Sequence, residues 1–223
     1  MKKLTPQEEK DAAKTLLADI ERLAAGRRLR YMEVCGTHTV AIFRAGLRQL
    51  LPETIELVSG PGCPVCVTAD DYIDAAIAYA GMEDVIITTF GDMLKVPGTS
   101  SSLAAAQAAG ADVRIVYSPL DALPIAAEHP EKKVIFLAVG FETTAPTEAA
   151  AVLAAERQGC GNFFLLSAQK LVPPVMRTLL DDGTAAVDGF LLPGHVAVVT
   201  GTGLFDFLAR DYHVPGVVGG VQP

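Results

Sequence analysis

Lys133-Val134-Ile135-Phe136-Leu137-Ala138-Val139, followed without a break by Gly140-Phe141-Glu142-Thr143-Thr144-Ala145-Pro146, is the stretch that decides the fold. An unbroken apolar run of this length describes a strand covered on both faces, as strands are inside a parallel sheet. A glycine-led turn and then a helical pattern to Gln158 complete a strand–loop–helix unit.

Working outward, the same alternation fills the chain. Upstream, Thr5-Pro6-Gln7-Glu8 is a capping box with proline at the first helical position, and Gly26 closes the helix marked by Ala13, Leu16, Leu17, Ile20 and Leu23. A strand over 30–34 runs into Cys35, and a helix over 38–51 places Ile42, Phe43, Leu47 and Leu50 on one face. A strand over 55–58 leads to Gly60-Pro61-Gly62, and a helix over 70–80 follows a start signal at Thr68 and Asp71. Strands are then expected over 85–89 and 113–117, and helices over 100–110 and 119–128. Downstream come strands at 163–166, 187–191 and 214–218, with helices at 175–180 and 204–210. Strands and helices at this spacing imply an α/β fold: two parallel-sheet, Rossmann-like units facing a shared cleft. The expected organisation is an N-terminal helix over 1–28, a unit over 29–118 carrying the cysteine motifs, and a second over 119–223.

Half of the 223 residues are hydrophobic, which is ample for two small cores. The net charge of −8 argues against nucleic acid or an anionic membrane as partner, and Arg27, Arg28 and Arg30 read as a solvated helix end. Every apolar run is cut by Gly, Pro or charge well before the length of a membrane span. The first residues lack the apolar core of a secretory signal, so a cytoplasmic location is expected. In a reducing compartment, four cysteines point to metal binding or redox work rather than a disulfide framework.

The chemistry gathers at Gly60-Pro61-Gly62-Cys63-Pro64-Val65-Cys66. Glycine opens backbone angles closed to other residues and proline fixes its own, so the loop holds two sulfurs in a defined place. The Cys-x-x-Cys spacing lets two thiols form a disulfide or share a metal, and a helix N-terminus just after them would favour thiolate. Buried cysteines acting as small hydrophobes are the plain alternative. Cys35-Gly36-Thr37-His38 adds a third sulfur and an imidazole, completing the ligand inventory of a closed zinc site. A structural zinc, however, usually rescues a domain that lacks a core, and this chain has one. Functional groups in open parallel sheets collect beyond the carboxyl ends of the strands. By that rule Cys35, Cys63, Cys66, Asp92, Glu142 and His195 converge, since each follows an expected strand. The turn at Gly140 lacks both the Walker lysine and the dinucleotide glycine spacing. Glu142 reads as a proton acceptor or a cap of backbone amides, Asp92 as readily a turn residue as a site residue, and Cys160 as structural.

Taken together, Cys35-Gly36-Thr37-His38-Thr39, Gly60 to Thr68, Gly140 to Pro146 and Pro193-Gly194-His195-Val196 resemble the HypD family of hydrogenase maturation proteins, over about 31–223. The resemblance implies a scaffold, rather than an enzyme turning over a free substrate, for the Fe(CN)2CO unit of NiFe-hydrogenases. It implies HypC and HypE as partners, with HypE and HypF supplying cyanide. By motif match, Cys35 looks like the iron ligand, shared with a cysteine of HypC, and Cys63 and Cys66 look like the redox pair. Thr37, His38, Glu142, Thr143 and Thr144 fall in blocks lining the same cleft. Low-spin iron carrying cyanide and carbonyl is a soft centre suited to thiolate, and a nearby dithiol can exchange electrons with it. A hydroxyl and an imidazole beside Cys35 would hydrogen-bond cyanide nitrogens. The family also carries a C-terminal segment whose cysteines hold a 4Fe-4S cluster. This sequence ends at Pro223, with Gly219-Gly220-Val221-Gln222-Pro223 where the family reads Gly-Phe-Glu-Pro. It is therefore read as a fragment or a shortened relative, and the cluster is not assigned to its residues. Two other classes compete: a thiol–disulfide oxidoreductase centred on Cys63-Pro64-Val65-Cys66, and an interaction module that binds partners without chemistry.

Overall fold

Eight strands and ten helices alternate in a computed structural model that describes residues 5–183 and 185–220. The strands are β1 (Leu29–Glu33), β2 (Ile55–Ser59), β3 (Val85–Thr89), β4 (Val113–Ile115), β5 (Lys133–Ala138), β6 (Phe163–Ser167), β7 (Gly189–Pro193) and β8 (Gly216–Gly219). The helices are α1 (Pro6–Ala24), α2 (Gly36–Arg44), α3 (Leu47–Leu50), α4 (Asp70–Ala80), α5 (Leu103–Ala108), α6 (Ala122–Glu128), α7 (Ala145–Arg157), α8 (Val172–Asp181), α9 (Gly194–Thr200) and α10 (Phe207–Asp211). The strands form two four-stranded sheets, ordered β2-β1-β7-β8 and β4-β3-β5-β6. Every pairing is parallel, as the apolar strands require. Val221, Gln222 and Pro223, the last residues of the C-terminal run, lie outside the described residues.

The division into units corrects the linear split at residues 118 and 119. One unit is Met1–Gly62 with Pro173–Pro223, and the other is Cys63–Val172. The reason is strand pairing. Tyr31 pairs with Gly189 and Glu33 with Leu191, so β7 joins the sheet of β1 and brings β8 with it. Meanwhile β5 and β6 stay with β3 and β4. The chain thus leaves the first unit at Gly62 and returns to it at Pro173.

Each unit has its own core. In Cys63–Val172, all five residues of β3 are buried, and Val134 to Ala138 of β5 are buried as well. Leu103, Ile87 and Leu137 meet on one face of this sheet, while Ala122, Ala126 and Val134 meet on the other. Asn162 closes the turn before β6 by donating its amide to the carbonyls of Ala126, His129 and Lys132. In the first unit Met32, Val34, Phe190, Leu192, Val196 and Leu208 are buried. Its α1 carries the expected capping box, with Glu8 N–H donating to Thr5 Oγ1 and Thr5 N–H to Glu8 Oε2. A largely apolar cavity of about 490 Å³ runs along this helix, lined by Leu16, Leu17, Ile20, Leu23, Leu47 and Ile55 among others.

Two local expectations change. The helix expected over 38–51 starts at Gly36 and breaks at Gly46, which has φ +63°, and of its apolar face only Ile42 is buried; Phe43 is 84% exposed. The start signal at Thr68 and Asp71 is not used. Thr68 Oγ1 turns back to donate to the Pro64 carbonyl, and Ala69 stands at the cap of α4.

A glycine fixes the edge between β7 and β8. A Cβ on Gly194 would sit 2.5 Å from the Gly219 carbonyl oxygen, against backbone that cannot swing aside. Gly194→Ala is expected to cost about 1–3 kcal/mol in urea denaturation, whereas Gly161→Ala, with nothing within 4 Å of its Cβ, stays within about 0.5 kcal/mol of the parent.

Candidate functional site

In the first unit the strand order reverses between β1 and β7, the switch point where open parallel sheets hold their ligands. Cys35 follows β1 directly, and His195 lies in the first turn of α9, directly after β7. Register between the strands brings together side chains 160 residues apart. Cys35 Sγ lies 3.8 Å from His195 Nδ1 and 3.9 Å from Nε2. Those distances are at the outer limit of a hydrogen bond to sulfur, and a small ring rotation selects either nitrogen. Cys35 is 5% exposed. Burial holds His195 below the usual imidazole range, and the neighbouring His38 lowers it further.

His38 is also buried, and its ring Nε2 lies 3.3 Å from the Gly219 carbonyl. A carbonyl only accepts, so the Nε2–H is committed there, and in the neutral ring Nδ1 is left with a buried lone pair and no partner. The Nε2 of His38 is thus engaged with the main chain of Gly219. Thr37 is exposed in the first turn of α2, and Thr39 Oγ1 donates to the Cys35 carbonyl at 3.3 Å. Sequence reasoning missed Glu33, which is fully buried in β1 two residues before Cys35. Its Oε1 accepts from Ser59 Oγ at 2.8 Å and Arg48 Nη2 at 3.2 Å, while its main-chain oxygen accepts from Gly60 N–H. Glu33 thus ties the end of β2 to β1 where the Gly60-Pro61-Gly62 approach begins. Gly62 lies so close to the backbone of Cys35 and Gly36 that no Cβ fits, and Gly36 N–H donates to its carbonyl. A charge inside an apolar strand was the signal that could have found Glu33.

In the second unit the order reverses between β3 and β5. Val65, between the two cysteines, packs with Met93 just beyond β3 and Val139 just beyond β5. The dithiol turn therefore sits over that reversal. Cys63 and Cys66 are not bonded to each other here, and Cys66 N–H donates to Cys63 Sγ at 3.3 Å. The Cys66 thiol is pushed up, chiefly by the sulfur of Cys63 and by burial, with the charge of Asp92 adding to it. A helix start does not act on the sulfurs, because a short turn (Val65–Val67) follows and α4 begins only at Asp70.

The loop after β5 is held from within the same unit. Glu142 is buried, its Oε1 accepting from Val172 N–H at 2.8 Å and its Oε2 without a partner. The Thr144 hydroxyl donates to the Phe141 carbonyl, occupying space that only a glycine at 140 leaves open. Gln169 Nε2 donates to Thr144 Oγ1 and, at 2.6 Å, to the buried Glu148. A cavity of about 200 Å³ opens beside this network, with Phe90, Tyr117, Thr143, Thr147 and Glu148 among its walls. Cys160 stands apart, donating to Asn162 near the start of β6. Among the described residues no three His, Cys, Asp or Glu side chains stand close enough to hold a metal ion, so the donor set fits neither a closed zinc site nor a 4Fe-4S cluster.

Two four-stranded parallel sheets, with a thiol at the switch point of one and two thiols on a turn beside that of the other, define an α/β protein that carries cysteines on loops at its strand ends. The chain matches the model of the HypD family, described as "Hydrogenase formation hypA family", over residues 11–223, and it belongs to that family. It is 50% identical over 199 residues to hydrogenase maturation factor HypD of Escherichia coli K12, covering 89% of this chain and 53% of that protein. It is 48% identical over 217 residues to HypD of Rhodobacter capsulatus, covering 95% of this chain and 58% of that one. Against HypD of Rhizobium leguminosarum bv. viciae it is 44% identical over 231 residues, covering 100% and 60%. The chain thus spans between half and three-fifths of the length of these relatives. Among the described residues, no helix is long and apolar enough to cross a membrane.

Glu148 gives the site a pH signature. Burial raises its carboxyl above the usual range, against the lowering effect of the Gln169 hydrogen bond. A raised folded value means stability that is full below the unfolded value and lost as pH rises through the folded one. Glu148→Gln keeps an acceptor for Gln169 and removes the charge. In urea denaturation the variant is expected to gain on the parent between pH 5 and pH 8; a constant difference across that range would contradict the buried carboxyl.

Proposed function

We propose that this chain acts in hydrogenase maturation as a cofactor-assembly scaffold, with the Fe(CN)2CO unit as its cargo. Cys35 supplies one thiolate to the iron, a cysteine of HypC supplies another, and HypE, with HypF upstream, delivers cyanide in the cytoplasm. Cys63 and Cys66 act as the redox-active dithiol that exchanges electrons with the cargo site.

The observation that carries the reading is the pairing of Cys35 with His195 at the β1/β7 switch point. A buried sulfur offers iron one thiolate, and the imidazole beside it can donate a hydrogen bond to a bound anionic group, which leaves further positions on the iron to partners. In this reading His195 takes the hydrogen-bonding role first given to His38. What ties the dithiol to Cys35 is covalent: Cys63 is the next residue after Gly62, whose carbonyl accepts the N–H of Gly36. In this reading Glu142 and Thr144 hold the loop after β5 and Thr143 lines the cavity beside it, rather than touching iron.

A thiol–disulfide oxidoreductase remains the second reading, favoured by the Cys66 N–H to Cys63 Sγ contact. The two differ in their need for iron. Purified anaerobically with HypC, the chain is expected to show infrared bands of bound cyanide and carbonyl, and Cys35→Ala is expected to abolish them. Bands unchanged in that variant would remove Cys35 as the ligand, and turnover of protein disulfides without iron would favour the oxidoreductase.

A further inference from the structure

The two thiols of Cys63-Pro64-Val65-Cys66 are not equivalent. Cys66 is exposed and Cys63 half-buried. The Cys66 N–H points at Cys63 Sγ, 3.3 Å away, and a backbone donor stabilises a thiolate and so makes a better leaving group. The side chain between them is anchored: Val65 packs against Met93, the residue after Asp92, so the turn is held and its carboxylate neighbour is set by packing. Negative charge on Cys66 is opposed by Asp92 and by Cys63.

We propose that the pair exchanges with a fixed polarity: Cys66 is the sulfur that bonds to an outside thiol, and Cys63 is the sulfur that leaves and returns. The inference rests on the reading of Cys63 and Cys66 as a redox pair and adds a direction to it. Starting from the Cys63–Cys66 disulfide, an outside thiolate attacks Cys66 Sγ. A bond forms between the two, the Cys63–Cys66 bond breaks, and its electron pair remains on Cys63 as a thiolate facing the Cys66 N–H. A second outside thiolate then attacks the outside sulfur of this mixed disulfide. The two outside thiols leave joined as a disulfide, and Cys66 departs as a thiolate and takes a proton from water. Two outside thiols have lost two electrons, and the protein dithiol has gained them. In reverse, the Cys63 thiolate attacks Cys66 Sγ of the mixed disulfide and expels the outside thiolate. This order is opposite to one in which the first cysteine of the motif makes the outside bond.

The test uses the full chain oxidised at Cys63 and Cys66, mixed with reduced glutathione and quenched in acid during the first turnover. Free thiols are alkylated and adducts are assigned by fragment-ion sequencing. Glutathione is expected on Cys66 in roughly tenfold excess over Cys63. With glutathione disulfide, Cys63→Ser is expected to retain a stable adduct at Cys66, since no sulfur remains to expel it. Cys66→Ser is expected to form an adduct at Cys63 that added glutathione removes roughly tenfold faster than the Cys66 adduct of Cys63→Ser, because Cys63 is the better leaving group. Should a serine variant fail to fold, as circular dichroism would reveal, the parent mapping decides alone. Equal labelling or an excess at Cys63 overturns the polarity and leaves the redox pair standing. A parent chain that never forms the Cys63–Cys66 disulfide overturns both.

Discussion

The pairing of β1 with β7 is the constraint on which the first unit depends. It joins segments on either side of the whole Cys63–Val172 unit, so its loop-closure entropy is paid by contacts across most of the chain. What it returns is a switch point whose two flanking strands end in Cys35 and in the Pro193-Gly194-His195 turn. Val34 N–H donating to the Leu191 carbonyl sets the register one residue short of the thiol. A slip by one residue would turn Cys35 to the other face of the sheet and away from His195.

The second unit uses the same device with a different cargo of side chains. Its reversal lies between β3 and β5, and the residues beyond those strands carry Asp92 and the Glu142 to Thr144 block. The dithiol does not belong to either of these strands. It is held over them by Val65 alone among the turn's apolar side chains packed against the cluster of Ile73, Met93 and Val139. The fold therefore places one thiol on the end of a strand, where register fixes it, and two on a loop, where packing does.

Much of this was legible in the sequence, and the failures have physical causes. Alternation of apolar runs with helical spacing gave the two parallel sheets, and the Thr5 to Glu8 capping box survived in detail because it is entirely local. The strand pairing was not legible: β7 looks like any other apolar strand until its partner is known, so a linear boundary at residue 118 was a natural error. Thr68 has the right chemistry for a helix cap, but its hydroxyl found the Pro64 carbonyl first. Phe43 reads as a core residue, yet it lies on a helix cut short at Gly46. Cys35 and His195 were placed beyond strand ends by a topological rule, and they do follow β1 and β7 directly. The rule could not see that the two touch, since contact between Cys35 and His195 follows from β1 lying beside β7.

Charge at Cys35 separates the chemistries that remain. A cysteine that attacks a substrate carbonyl relies on a charged imidazole to balance its thiolate. Here the one polar side chain within hydrogen-bond range of the sulfur, among the described residues, is His195, and both burial and His38 disfavour its charged form. His38 has its Nε2 engaged by the Gly219 carbonyl, and its buried Nδ1 has no hydrogen-bond partner. A thiolate here is buried, and a charge in so buried a place is costly unless it is paired. A metal ion bound to the sulfur supplies the balancing positive charge from outside the protein, and it does so only while bound. On the proposed reading, Cys35 is accordingly a sulfur that takes up a cation and gives it back, rather than a free nucleophile.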